Sequence, residues 1–192
     1  MRSATEQLPG VAALERQFAT FRYSVFRLEA LQTYVGSGED EGIAAFHRGD
    51  PEPPPDPAED EYSGLLRAHR AAGQVRQRVH VVTEPVSDYM AYELAWEYGL
   101  HVPAGEDIRI IPVTDTWPRD IPVRDFWLFD SRYLCELRYD DSGVWLGVES
   151  TTDPAAVAEA CFIRDAALHH ALPWRDYITR HPDLVSRLPT GV

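Results

Sequence analysis

The stretch Val75–Thr83 constrains the fold more than any other part of the chain. Its residues alternate and then close on the apolar run Val79-His80-Val81-Val82, a strong strand pattern. Pro85 suits the first turn of a helix, and Val86, Tyr89, Met90 and Leu94 keep helical spacing to about Tyr98, with Gly99 as the expected stop. Ile108–Val113 then reads as a second strand. A strand, a helix and a strand in that order imply a parallel pair joined by a crossover helix. Asp125–Asp130, Tyr133–Tyr139 and Val144–Glu149 follow as three further strands. They are separated by Asp130-Ser131-Arg132 and Asp140-Asp141-Ser142-Gly143, turns that favour antiparallel hairpins. The expected class is α/β (mixed): a mixed β-sheet of about five to six strands with a crossover helix and a C-terminal helix, plus a small N-terminal α/β lobe.

The flanking segments complete this outline. In the last helix Asp153 serves as cap and Pro154 as first residue, and Val157, Ala160, Cys161, Leu168 and Ala171 form the buried stripe up to Pro173. Near the start, Val11–Phe21 reads as a helix and Gly38–Arg48 as another. Between them Ser24–Leu31 alternates, with Val25, Arg27 and Glu29 on one side and Phe26, Leu28 and Ala30 on the other, a half-buried strand. The run Gly49–Glu61 packs five prolines and six acids into an expected extended loop, after which Tyr62–Ala72 is a helix ended by Gly73. These boundaries divide the chain into a lobe over 1–48 packed on the main domain, a loop over 49–61, the main α/β domain over 62–181 and a loosely held tail over 182–192.

Every one of the 18 basic residues is arginine, and asparagine is also absent, as a GC-rich genome would produce. Without lysine there is no Schiff base, no P-loop lysine and no kinase-type lysine, so three enzyme classes are excluded. Thirty-one acids against 18 arginines give a net charge of −13, which repels phosphate backbones and suits a partner with a basic surface. No window approaches the roughly 18 uninterrupted apolar residues of a membrane span. Met1–Gly10 has no apolar core of a secretory signal, so the expected location is the cytoplasm.

Two resemblances sharpen the expectation. The order of elements from Val79 to Ala171 resembles one half of a phospholipase-D-like domain. That superfamily works through a His-x-Lys-x-x-x-x-Asp motif. With its aspartate set on Asp130, Val123 takes the histidine position and Asp125 the lysine position. The resemblance therefore implies the fold without that chemistry. Phe26-Arg27-Leu28-Glu29, Arg76-Gln77-Arg78-Val79, Pro85-Val86-Ser87-Asp88-Tyr89, Ala104-Gly105-Glu106-Asp107-Ile108-Arg109 and Asp125-Phe126-Trp127-Leu128-Phe129-Asp130 together resemble a domain-of-unknown-function family of actinomycete proteins. Its members are often encoded beside XRE-type helix-turn-helix regulators, and the likeness spans Phe18 to Tyr177. It implies a setting rather than a reaction.

No recognisable catalytic set stands out. Cys135 and Cys161 lie in apolar contexts and read as small buried hydrophobes. His169 and His170 are adjacent on a helix and point about 100° apart, so they cannot chelate together. No serine sits in a Gly-x-Ser-x-Gly elbow. Asp125 and Asp130 lie an odd number of residues apart on a strand, which argues against a dyad and leaves a carboxylate-held cation open. No motif implies a cofactor. What remains is a binding surface built from Arg27 and Glu29, Arg76 and Arg78, Tyr89 with Tyr92 and Trp96 on the crossover helix, Trp127 with Arg164, Asp165 and Trp174 near the sheet edge, and the carboxylates Asp125 and Asp130. The expected function is a noncatalytic accessory or regulatory protein that binds a protein partner such as a basic helix-turn-helix regulator. The alternative is a small-molecule-binding protein or hydrolase whose site gathers scattered arginines and carboxylates.

Overall fold

Strand β1 (Ser24–Glu29) occupies the middle of a seven-stranded sheet in the computed structural model, which describes residues 9–36, 38–51, 53 and 57–189. On one side β1 pairs in parallel with β2 (Val75–Thr83), and β2 pairs in parallel with β3 (Asp107–Val113). The short β7 (Leu172–Pro173) lies antiparallel on the outer edge of β3, where a proline costs the ladder least. On its other side β1 pairs antiparallel with β4 (Asp125–Phe129), followed by the antiparallel strands β5 (Tyr133–Tyr139) and β6 (Trp145–Thr151). The mixed α/β class, the parallel crossover and the hairpins all match the sequence pattern. The place of β1 differs: expected in an N-terminal lobe packed on the main domain, it is the centre of the sheet, with five of its six residues buried.

The two faces of the sheet differ. On one, Phe26, Leu28, Val79, Val81, Phe126 and Leu128 pack against Val157, Ala160, Ile163 and Ala167 of α6 (Pro154–His170). Asp153 caps α6 by accepting from the Ala156 backbone N–H at 2.9 Å. On the other face, the apolar cores among the described residues form at the two ends. Helix α1 (Val11–Thr20) brings Leu14 against Val25, Phe129, Cys135 and Val148. At the opposite end Val82, Ile108 and Ile110 meet Met90, Leu94, Tyr98 and Trp174. The middle of that face is polar, and there the cleft opens.

The crossover helix is longer than its sequence punctuation suggests. It begins as α4 (Asp88–Tyr92), with Ser87 accepting from the Met90 N–H at 3.2 Å, and Pro85 precedes it rather than joining its first turn. It then passes through a π-helical stretch, Glu93–Glu97, and continues as α5 (Tyr98–Ala104) to Gly105. Gly99 does not stop it. A Cβ there would stand 2.8 Å from Pro189 Cδ, so this glycine makes room for the C-terminal segment. That segment is packed, contrary to the expected loose tail. Leu184 of the short helix Pro182–Val185 is buried, and the Trp96 indole N–H donates to the Arg187 carbonyl at 2.9 Å.

Helix α2 (Asp40–Arg48) seats Phe46 against Tyr92 and Trp96. Helix α3 (Pro57–Ala71) starts inside the run read as loop, because proline at the first helical position gives up no hydrogen bond and the acids after it favour a helix N-terminus. Positions 52 and 54–56 of that run lie outside the described residues. Among the described residues no helix is long and apolar enough to cross a membrane.

Candidate functional site

Strand register brings the cleft's charges together. Arg27 on β1 lies directly beside Arg78 on β2 and beside Trp127 on β4, while Glu29 lies beside His80. Two adjacent guanidiniums in a sheet centre require anions, and the neighbouring strands supply them. Arg27 is only 3% exposed; its Nε donates to Glu29 at 3.2 Å and its Nη2 to Asp125 at 2.9 Å. Arg78 donates through Nη1 to the other Glu29 oxygen at 3.0 Å and through Nε to Glu106 at 3.1 Å. Burial alone would push the Glu29 carboxyl up, but Arg78 and Arg27 outweigh it and hold it down at about 2. Nη1 of Arg27 has no hydrogen-bond partner among the described residues. Its guanidinium lies 5.0 Å from the centre of the Trp127 ring.

The long helix forms the facing wall. Tyr89, Glu93, Glu97 and His101 follow one another at four-residue intervals, and all four line the cleft. The Tyr89 oxygen is 2.7 Å from Glu93 and 3.0 Å from Glu39, yet its single proton can serve only one of them. Burial first, and then repulsion from Glu39, Glu97 and Glu29, raise the Glu93 carboxyl well above the usual range. A protonated Glu93 donating to Tyr89, which in turn donates to Glu39, satisfies both contacts. The π-helical stretch carries Glu93 and Glu97, and such local departures from α geometry recur at functional sites.

Aromatic side chains close the remaining sides. Tyr34 donates to Asp125 at 2.6 Å and lies 5.3 Å from Tyr139 and 6.0 Å from Tyr89 between ring centres. Tyr62 from α3 packs on His101 at 4.8 Å. With Trp127 and Trp145 they bound a cavity of about 380 Å³. Its described lining contains no serine, threonine, cysteine or lysine. His80, behind the floor, is occupied at both nitrogens: Nε2 donates to the Leu31 carbonyl at 2.8 Å, so Nδ1 accepts from the Tyr98 hydroxyl at 2.6 Å. Burial lowers its pKa and keeps it neutral, a structural rather than a proton-transferring role. Among the described residues no group of three or more His, Cys, Asp or Glu side chains is arranged to hold a metal ion. Cys135 is buried with its sulfur 3.4 Å from the Ser150 hydroxyl, and burial pushes its thiol up, away from the reactive thiolate.

Of the residues singled out in the sequence, Arg27, Glu29, Arg78, Tyr89 and Trp127 line the cleft, and Asp125 braces its floor. Arg76 lies just beyond, its guanidinium 5.6 Å from the Trp127 ring and donating to the Tyr62 hydroxyl at 2.8 Å. Three do not join them. Arg164 and Asp165 pair with each other at 2.8 Å on α6, across the sheet, because that helix covers the opposite face. Asp130 turns the chain after β4 and accepts from the Arg22, Tyr23 and Ser24 N–H groups at 2.9, 2.8 and 3.0 Å. Burial opposes its charge, but those three donors win and hold its pKa down, so its contribution to stability is present at neutral pH and lost in acid. Asp130→Ala is expected to cost about 2 kcal/mol in urea unfolding at neutral pH, with the loss narrowing in acid. Cleft binding should be unchanged in this variant.

Tyr34, Glu93, Glu97 and Tyr139 were not among the candidates, and Glu106 entered only as part of the segment Ala104–Arg109. A usable signal was present for the helix, where Tyr89, Glu93, Glu97 and His101 make a polar stripe inside an otherwise apolar element. With the geometry in place, comparison with known proteins adds a family. A domain of unknown function, DUF6879, matches residues 12–179, and the chain belongs to that family. Among curated proteins none matches it.

Proposed function

We propose that this DUF6879 member is a small-molecule-binding protein whose ligand lodges in the cleft on the sheet face away from α6. The observation that carries this reading is the cavity itself, about 380 Å³ bounded by an ion-paired floor, a polar helix face and aromatic walls. A core selected for stability alone would fill this space with aliphatic side chains, since buried ion pairs rarely outperform them. A described lining without a hydroxyl or thiol nucleophile other than tyrosine favours binding over covalent catalysis.

The accessory role inferred from the sequence fits this reading. Arg27, Arg76 and Arg78 are buried beside five buried acids, so most of the net charge of −13 lies on the remaining residues. An acidic exterior suits a basic partner, for which a helix-turn-helix regulator of the XRE type in an actinomycete cytoplasm is our candidate. Ligand occupancy would then be the signal passed on. The likeness to half of a phospholipase-D-like domain enters only as a reading of fold ancestry. Val123 is exposed at the histidine position, and Asp125 is engaged by Arg27, Tyr34 and the Ala30 N–H.

Leu137, on the cavity wall, provides the test. Leu137→Trp is expected to fill the space at a cost of about 1–3 kcal/mol and to leave the circular dichroism spectrum unchanged. Mass spectrometry of denatured wild-type protein purified from its host should reveal a co-purified small molecule that the variant lacks. Equal small-molecule content in the two proteins would refute a ligand in this cleft.

A further inference from the structure

We propose that the cleft selects an organic cation, a planar ring carrying a protonated amine, with the amine seated at Glu93 and the ring against the tyrosines of the opposite wall. The inference rests on the ligand-binding reading above and adds the charge and shape of the ligand.

Four glutamates line the cavity, Glu29, Glu39, Glu93 and Glu97, against two arginines, Arg27 and Arg78, and His101, whose Nε2 lies 3.8 Å from Glu97. Both arginines are already engaged, by Glu29 together with Asp125 for the first and Glu106 for the second. The floor is thus neutralised from within, and the acid excess lies at the helix wall. There Tyr89 and Glu97 face Glu93 from its own helix, Glu39 from the segment before α2 and Glu29 from β1, with Arg27 and Arg78 beyond Glu29. An anion entering this end meets carboxyl groups, whereas an ammonium replaces the proton that Glu93 retains. The aromatic lining adds attraction for a cation on its ring faces, and Tyr34 and Tyr139, in edge-to-face contact at 5.3 Å, give a flat group an aromatic wall to pack on. At the floor, the buried Nη1 of Arg27 lacks an acceptor among the described residues, so a hydroxyl on the far end of the ring would complete its hydrogen bonding.

Three probes of one shape separate charge from fit: tyramine, tyrosol and 4-hydroxyphenylacetate share a phenol and differ in the charge of the side chain. Titration calorimetry on the full chain at neutral pH is expected to show tyramine binding about tenfold tighter than tyrosol, with 4-hydroxyphenylacetate weakest. Tyramine binding should also release a proton, read as a dependence of its enthalpy on the ionisation enthalpy of the buffer. In Glu93→Gln the preference for tyramine over tyrosol should collapse to about twofold, with the proton release lost and tyrosol affinity unchanged. Glu39→Gln, at the rim, should narrow the preference partway. Equal binding of all three probes would leave the cavity reading standing and overturn the cation. So would tighter binding of the anion, or a preference that survives both substitutions. If no probe binds, the ligand-binding reading falls and takes the cation with it.

Discussion

Exchange of Arg78 for methionine is expected to lower the unfolding free energy by about 3–5 kcal/mol at neutral pH. Methionine keeps much of the stem's volume but removes the charge that Glu29 and Glu106 share at 3.0 and 3.1 Å. Glu106 is then left with His101 at 3.8 Å as its nearest ion-pair partner among the described residues, and Glu29 with Arg27. Removing one member of a buried ionic group costs more than the group as a whole contributes, because the remaining charges stay desolvated.

The pH dependence identifies the cause. In the wild type Glu29 is held at about 2 against an ordinary 4.5, with Arg78 the stronger of the two cations opposing the effect of burial. A depressed carboxyl contributes stability that is present above 4.5 and lost as pH falls toward 2. The deficit of Arg78→Met should therefore be greatest at neutral pH and shrink as acid protonates Glu29. The double variant Arg78→Met/Glu106→Gln should recover about half of the loss, because it removes one stranded charge. Urea unfolding at neutral and acid pH measures all of these. A neutral-pH loss under about 1 kcal/mol, or one that does not change with pH, would mean that the network carries little of the fold's electrostatic stability. Arg78→Ala is for the same reason a poor probe of binding, since it destabilises the fold whether or not a ligand is present.

The legible part of this protein was the part governed by local periodicity. Alternating apolar residues marked β2 to β6 whatever they paired with, and Asp153-Pro154 marked α6 through its own hydrogen bonding. The place of β1 was hidden because Val25, Arg27 and Glu29 look like a solvent face. Their burial depends on Asp125, 98 residues from Arg27, and on Arg78. Neither periodicity nor spacing reports a charge pairing across strands that are distant in sequence. The candidates that the fold brings to the cleft are strand residues, whose register follows from alternation, together with Tyr89 on the crossover helix. Tyr34 and Glu39 sit in irregular chain, and Glu93 and Glu97 sit on a π-helical stretch that no local propensity announces. Arg164 and Asp165 were grouped with Trp127 because the sequence does not say on which face α6 packs. Gly99 misled for a related reason: a glycine inside a helix reads as a stop, and only Pro189 explains it as a point of close approach.

Exchange of Glu93 for glutamine is expected to flatten a decline in stability that the wild type shows as pH rises through the neutral range. Burial, then Glu39, Glu97 and Glu29, raise the folded-state pKa of Glu93 above its ordinary 4.5. Below 4.5 both folded and unfolded chains hold this proton, and the group contributes no slope. Above it the unfolded chain releases the proton while the folded chain keeps it, so each added pH unit costs up to about 1.4 kcal/mol until the folded-state pKa is passed. Glutamine is neutral throughout, and its amide can donate to the Tyr89 oxygen as the protonated acid does. The variant should match the wild type near pH 4 and be the more stable protein near pH 8 by urea unfolding. Glu39→Gln should reduce the wild-type slope in part, because it removes one of the repelling charges while leaving Glu93 in place. Parallel stability curves for wild type and Glu93→Gln would show that Glu93 ionises normally, and that the helix wall bears no excess of negative charge. A divergence of the expected sign would mean that the fold tolerates a destabilising acid at the wall of its cavity, a cost that a cationic ligand would relieve by taking the proton's place.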